Sequence, residues 1–192
     1  VNITPGQLVE QLNAVVKNGW LPWFMQAAQK YGFPPPMLLA IGSRETNLTN
    51  IKGDFRNGVW HGYGIMQVDI GTDPVFCAQW TPAQVQESIT LGASILSDKR
   101  ATLAANSIRD PRAIAAAYNT GAWNVIRSLA AGRDADATTT GRDYGADVME
   151  RATAFTALLI APVGQGLASE QPGKVEMSAA NQVPTPSKLS NS

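Results

Sequence analysis

The sequence predicts a mainly α domain with a small β-hairpin wing and a disordered C-terminal tail. Three observations carry that prediction. Apolar residues recur at helical spacing over most of residues 1–161, one Gly- and Asn-rich stretch at 47–64 interrupts them, and the composition changes from Pro162 onward.

Taken in order, Thr4 reads as the N-cap of a first helix, with Pro5 in its first position. Leu8, Leu12, Val15 and Val16 follow at helical spacing, and Gly19 ends the run after Asn18. A second helix covers Trp20 to Tyr31 and stops at Gly32. Pro34, Pro35 and Pro36 stiffen the entry to a third, Met37 to about Thr46. Its opening Met37-Leu38-Leu39-Ala40-Ile41 leaves almost no polar face, so it belongs in the middle of a bundle. Asn47, Asn50, Gly53, Gly62 and Gly64 then mark turns around Asn57-Gly58, the strongest short hairpin signal in the chain. A two-residue turn there sets Arg56 opposite Val59, Phe55 opposite Trp60 and Asp54 opposite His61.

Thr81-Pro82-Ala83-Gln84 is a capping-box pattern that opens a helix through Val85, Ile89, Ile95, Leu96 and Leu103 to about Ala105. Asp110-Pro111 opens another, ending near Tyr118, and a short helix covers Gly121 to Ala131. The last runs from about Arg142 to Ala161, with Tyr144, Val148, Phe155 and Leu159 turned inward. The 31 residues from Pro162 hold four Pro, three Gly, five Ser and no aromatic residue. They offer too little apolar surface to offset the entropy of ordering, so residues 162–192 read as a flexible tail or linker.

Composition removes several kinds of chemistry. Fifteen Lys and Arg balance fifteen Asp and Glu, whereas phosphate binding needs a basic excess, so no nucleic-acid partner is expected. No apolar run approaches the ~18 residues of a membrane span. Cys77 alone forms no internal disulfide and is read as a small buried residue. His61 is the single histidine. With one Cys and one His, no metal site and no cofactor are expected, and acid–base work falls to carboxylates. The sequence begins at Val1, read as a processed or excised chain, with no signal peptide visible in it.

Among the carboxylates, Glu45 stands out at the end of the apolar third helix, before the Gly-rich loop. Apolar neighbours and the negative helix end both raise a carboxyl pKa, and a carboxyl kept protonated near neutrality can give its proton to a leaving oxygen. The plainer alternative is a surface Glu paired with Arg44. Asp54 and Asp69 follow across turn-rich chain that can fold back; each is either a second carboxylate across a cleft or an ordinary turn-former or cap. Gly62-Tyr63-Gly64-Ile65-Met66-Gln67-Val68-Asp69 lets backbone approach a ligand and gives Gln67 as donor and acceptor. Ala117-Tyr118-Asn119-Thr120-Gly121 ends a helix with a polar, aromatic cluster, or with a plain left-handed cap at Gly121. His61 opposite Asp54 can favour its ionised form, or simply face solvent. Trp60 and Trp80 suit sugar stacking, while Trp20, Trp23 and Trp123 are assigned to the core.

Together these pieces resemble the goose-type lysozymes and the related soluble lytic transglycosylases. Ser43-Arg44-Glu45, Gly53-Asp54, Gly64-Ile65-Met66-Gln67-Val68-Asp69, Ala117-Tyr118-Asn119-Thr120-Gly121 and Asp143-Tyr144-Gly145-Ala146-Asp147-Val148 occur in the family's order across residues 20–156. The resemblance implies a lysozyme-like catalytic domain over 1–161 whose cleft binds peptidoglycan glycan strands. It assigns Glu45 as the general acid for the bond between N-acetylmuramic acid and N-acetylglucosamine. Asp54 and Asp69 position water for inverting hydrolysis, and Gln67, Met66, Tyr118, Asn119 and Tyr144 line or support the cleft; His61 and Trp60 are added as substrate contacts from the hairpin register and the stacking argument alone. The chain departs from the pattern in Thr46, where many relatives carry Ser, and in a shorter Glu45-to-Asp54 spacing. After Asp69 it lacks the basic residues and His of the animal goose-type enzymes. The expectation is a peptidoglycan muramidase, a monomer, secreted, periplasmic or wall-associated. Its alternatives are a lytic transglycosylase and a non-catalytic glycan-binding module.

Overall fold

The computed structural model describes residues 3–160, and the tail assigned to 162–192 lies outside the described residues. The described chain is mainly helical, in the order α1 (Pro5–Lys17), α2 (Leu21–Tyr31), α3 (Pro35–Thr46), β1 (Lys52–Arg56), β2 (Val59–Tyr63), β3 (Val68–Asp69), α4 (Pro74–Gln79), α5 (Val85–Ala105), α6 (Pro111–Thr120), α7 (Ala122–Ala130) and α8 (Tyr144–Ile160). A 3-10 turn, Thr140–Arg142, precedes α8.

Local chemistry sets most of these limits. Thr4 caps α1 through a capping box with Gln7. Gly32 closes α2 in the left-handed conformation. α3 starts two residues earlier than expected because Pro35 and Pro36 fit its first turn. As its sequence demands, α3 is buried nearly all round, from Met37 through Ser43, and packs on α2 and α8.

The hairpin has the predicted register, Phe55 with Trp60 and Arg56 with Val59. Asn57 and Gly58 both take positive φ, 51° and 80°. A short third strand, β3, pairs with β2 and had no periodic signal to announce it. A separate small cluster of Tyr63, Val68 and Cys77, joined by Phe76 from α4, underlies this sheet. Cys77 is buried, as expected.

Five expectations are corrected. The Gln84 side chain does accept from the Thr81 amide, at 2.6 Å, but residues 81–84 form only a turn and α5 begins at Val85. α4 was missed, being a single short run opened by Asp73 and Pro74. Gly121 is no left-handed cap: at φ 87°, ψ 145° it joins α6 directly to α7 in a conformation essentially restricted to glycine. Trp123 is 60% exposed rather than core, and Trp80 packs edge-on against Tyr63 instead of facing outward as a platform.

Candidate active site

Glu45 is the penultimate residue of α3 and is half-buried. Tyr144, the first residue of α8, donates its hydroxyl to Glu45 Oε1. Burial lifts the Glu45 pKa from 4.5 to about 7, against the opposing pull of the Tyr144 hydrogen bond and the Arg44 charge. Burial, and then the Glu45 charge, also pushes both Tyr118 and Tyr144 well above the usual phenol value. The two phenols therefore keep their protons and serve as donors. Tyr118 spends its proton on the Met66 carbonyl, 2.8 Å away.

Arg44, the candidate surface partner of Glu45, turns to α8. Its guanidinium reaches Asp147 and Asp143, each at 2.9 Å, and lies 5.7 Å from the centroid of the Tyr144 ring. Asp147 is shared with Arg151 at 2.7 Å, and Arg151 donates to Ser43 Oγ at 2.8 Å. Ser43 in turn donates to Gln11 of α1 at 2.6 Å. Ser43 and Arg44, the two residues ahead of Glu45, are thus tied to α1 and α8, which leaves Glu45 little freedom to move.

Asp136 completes this frame, and sequence reasoning missed it. Fully buried, it accepts from the Gly145 amide at 2.6 Å and the Ala146 amide at 3.1 Å, so it satisfies free amides of the first turn of α8. Arg112 of α6 neutralises it through Nε at 3.0 Å. No capping rule points to an acid so far upstream of the helix it caps.

A cavity of about 290 Å³ is lined by Gln67, Asp69, Thr72, Tyr118, Asn119 and Lys99, among others. Tyr118 borders it, and the Glu45 charge helps to raise the Tyr118 pKa, but Glu45 and Tyr144 themselves are not among the lining residues. Asp69 is exposed, and its Oδ1 accepts from the Gly71 amide at 2.8 Å. Asn119 also lines the cavity and accepts from the Thr140 amide at 2.9 Å.

The Gln67 side chain is committed to the wing. Its Nε2 donates to the carbonyls of Ile51, at 3.0 Å, and Gly64, at 2.9 Å. Its Oε1 lies over the paired glycines Gly53 and Gly62, where a Cβ would come within 2.1 and 2.2 Å of it. A Cβ at either position would push the Gln67 amide out of this place.

The remaining sequence candidates are distributed differently. Met66 is fully buried against Gly92 of α5 and supports the cleft from the core, offering only its carbonyl. Asp54, Trp60 and His61 sit on the wing outside the lining of the cavity. Asp54 takes φ 56°, drops out of the strand pairing opposite His61, and forms an ion pair with Arg56. Trp60 is 39% exposed and packs on Phe55, ring centroids 4.8 Å apart. A larger cavity of about 650 Å³ between α4 and α5 includes none of these candidates. Among the described residues no cluster of His, Cys, Asp or Glu could hold a metal ion, and no helix is long and apolar enough to cross a membrane.

Comparison with known families matches residues 15–157 to the model described as Lysozyme g. No curated protein matches the chain.

Proposed function

The chain belongs to the lysozyme g family, glycoside hydrolases that degrade peptidoglycan, and from that premise we propose that Glu45 is the general acid of a muramidase. A protonated Glu45 gives its hydrogen to the oxygen of the β-1,4 bond between N-acetylmuramic acid and N-acetylglucosamine as that bond breaks. Positive charge then develops on the muramic ring, and a carboxylate on the opposite face directs water to the anomeric carbon, inverting it. Asp69 is assigned that second role because it is exposed and lines the cavity with Tyr118, Asn119 and Gln67, the residues matching the family's cleft. Asp54 can join it only by leaving its ion pair with Arg56. Tyr118, Asn119, Tyr144 and Gln67 shape the floor and walls, Met66 backs them, and Trp60 and His61 extend the surface along the wing.

A single observation carries the proposal: a half-buried carboxyl whose pKa burial raises to about 7 and which accepts a hydrogen bond from the Tyr144 hydroxyl. A general acid needs that value to be protonated and still acidic near neutral pH. The diversion of Asp54 to Arg56 favours one competing outcome, in which the muramic 6-hydroxyl attacks instead of water and leaves a 1,6-anhydro end.

Digestion of purified cell wall followed by mass spectrometry of the fragments tests both. Reducing muramic ends are expected; anhydro ends would make the chain a transglycosylase. Wall that is bound by the intact chain but left uncut would make it a glycan-binding module. A periplasmic, wall-associated or secreted site of action goes with this proposal, since the substrate is the cell wall, as does action as a monomer on a strand held in one cleft.

A further inference from the structure

Four charged side chains meet beside Glu45: Arg44 from α3, Asp147 and Arg151 from α8, and Asp143 from the turn before it. Asp147 Oδ2 accepts from both guanidiniums, from Arg44 Nη1 at 2.9 Å and from Arg151 Nε at 2.7 Å. Asp143 Oδ1 holds the other arm of Arg44, accepting from Nη2 at 2.9 Å. Two cations thus face two anions, and the set is neutral by formal charge. Stability is a weak reason to enclose such a set, because apolar side chains of the same volume hold helices together as well.

Position supplies a better reason. Arg44 adjoins Glu45 in the chain and is the member of the set whose charge acts on it, favouring the ionised carboxyl against burial. Its guanidinium also lies 5.7 Å from the centroid of the Tyr144 ring, where its charge favours release of the phenol proton and so strengthens the donor to Glu45 Oε1. An unbalanced cation here would favour a carboxylate with no proton to give. No cation at all would leave the proton harder to release, with Tyr144 alone opposing burial. The other groups around Glu45 leave this role to Arg44. Tyr118 from α6 and Tyr144 from α8 are neutral phenols. From α1 the contact is the uncharged Gln11, through Ser43. On α2 the titratable groups are Lys30 and Tyr31 of the last turn, with Lys30 over the Tyr31 ring.

We infer that Arg44 is a positioning residue for the proton of Glu45: its charge, balanced by Asp147 and Asp143, sets how readily the carboxyl lets that proton go. The inference rests on the proposed role of Glu45 as general acid and assigns that acid the residues that tune it.

The test is a carbon NMR titration of the Glu45 side-chain carboxyl in the whole chain, with Glu45→Gln, which lacks the signal, to assign it. The wild-type midpoint should lie at about 7. Arg44→Gln should raise it by roughly half a unit to one unit, and Asp147→Asn should lower it by a similar amount, less than a bare neighbouring charge gives because the set is balanced. Arg44→Lys keeps the charge and should stay within about 0.3 unit of wild type. Were the set merely structural, both losses would loosen the packing and move the midpoint the same way, or leave it unmoved. Either result would overturn the inference. Should Asp147→Asn fail to fold, Asp143→Asn decides the matter: that side chain is 44% exposed, and its loss should give a smaller downward shift, whereas an upward shift or none would overturn the inference. The titration needs no substrate, so it stands apart from cleavage. In digests of cell wall, the alkaline limb of kcat/KM should follow the titration from variant to variant. A limb that ignores the shifts would overturn Glu45 as the acid and leave the charge balance in place.

Discussion

Glu45 is held by two helices, whereas Asp54 and Asp69 stand on a three-stranded wing, and the two supports differ in kind. On the helical side α3 is buried nearly all round and packs on α8, and Arg44, Asp147, Arg151 and Ser43 satisfy one another in a chain of contacts of 2.7–2.9 Å. On the wing, Asp54, Asn57 and Gln67 all take positive φ, and both aspartates are exposed. Burial is what a carboxyl needs to keep its proton near pH 7, and exposure is what a carboxylate needs to handle water. The comparison teaches that the proposed acid is placed by packing, whereas Asp69, its proposed partner, is placed by a two-residue strand paired with β2 at the edge of the sheet.

The largest test of this contrast is Glu45→Gln. Removing the transferable proton should lower the rate of wall digestion by about 10²–10⁴-fold while leaving wall binding in pull-down assays unchanged. A residual rate within tenfold of wild type would place the acid elsewhere. On the helical side, Asp136→Ala should destabilise the domain by about 3 kcal/mol in urea unfolding at pH 7. It leaves Arg112 without its buried partner and the first amides of α8 uncapped. A loss below about 1 kcal/mol would mean that α8, and with it Tyr144, is placed by packing alone.

How much of this was legible follows the same division. Glu45 could be read because its helix is apolar on nearly every side and because its neighbours match a family pattern. The hairpin register could be read because Asn57-Gly58 admits few turns. The Arg44 to Asp143 and Asp147 contacts could not, since they join residues about a hundred positions apart. Asp136 was invisible for a related reason, capping α8 from outside the local motif. Trp123 was assigned to the core from its type and helical setting. An indole at the start of a short helix whose entry is fixed by Gly121 can face either way, and local sequence does not choose. The stability of β3 comes from pairing with β2 and from Val68 in the small cluster, and two residues carry no periodicity.

The wing is tested by its two aspartates. Asp69→Asn should cost about 10²-fold in kcat/KM, and Asp54→Asn less than about threefold, because Asp54 is committed to Arg56. A larger loss at Asp54 would mean that the ion pair opens when glycan binds and that the wing closes on the substrate. Stability gives a second view of Glu45. Its folded pKa is raised, so its contribution is fully present below about 4.5 and is lost as pH rises to about 7. Above pH 7, Glu45→Gln should therefore be more stable than wild type by roughly 2–3 kcal/mol, after allowing for solvent at the half-buried carboxyl. The two should be nearly equal at pH 4. Chemical denaturation at pH 4 and pH 8 measures this, and equal stabilities at pH 8 would mean that Glu45 is not desolvated.

The finest test separates the two causes acting on that carboxyl. If Tyr144 mainly kept Glu45 protonated, its loss would move the alkaline limb of the activity profile to lower pH. The geometry demands the opposite. Tyr144 donates to Oε1, a contact that favours the ionised form and partly offsets burial. Tyr144→Phe removes the donor and leaves the ring, and with it most of the burial, in place. The alkaline limb, near pH 7 in the wild type, should therefore shift upward, although the maximal rate falls as Glu45 loses its restraint. A pH–rate profile of kcat/KM on wall fragments reads the direction. A downward shift would mean that water enters where the hydroxyl had been, so that the tyrosine matters as a plug rather than as a donor, and the dry side of the cleft would owe its dryness to one side chain rather than to helix packing.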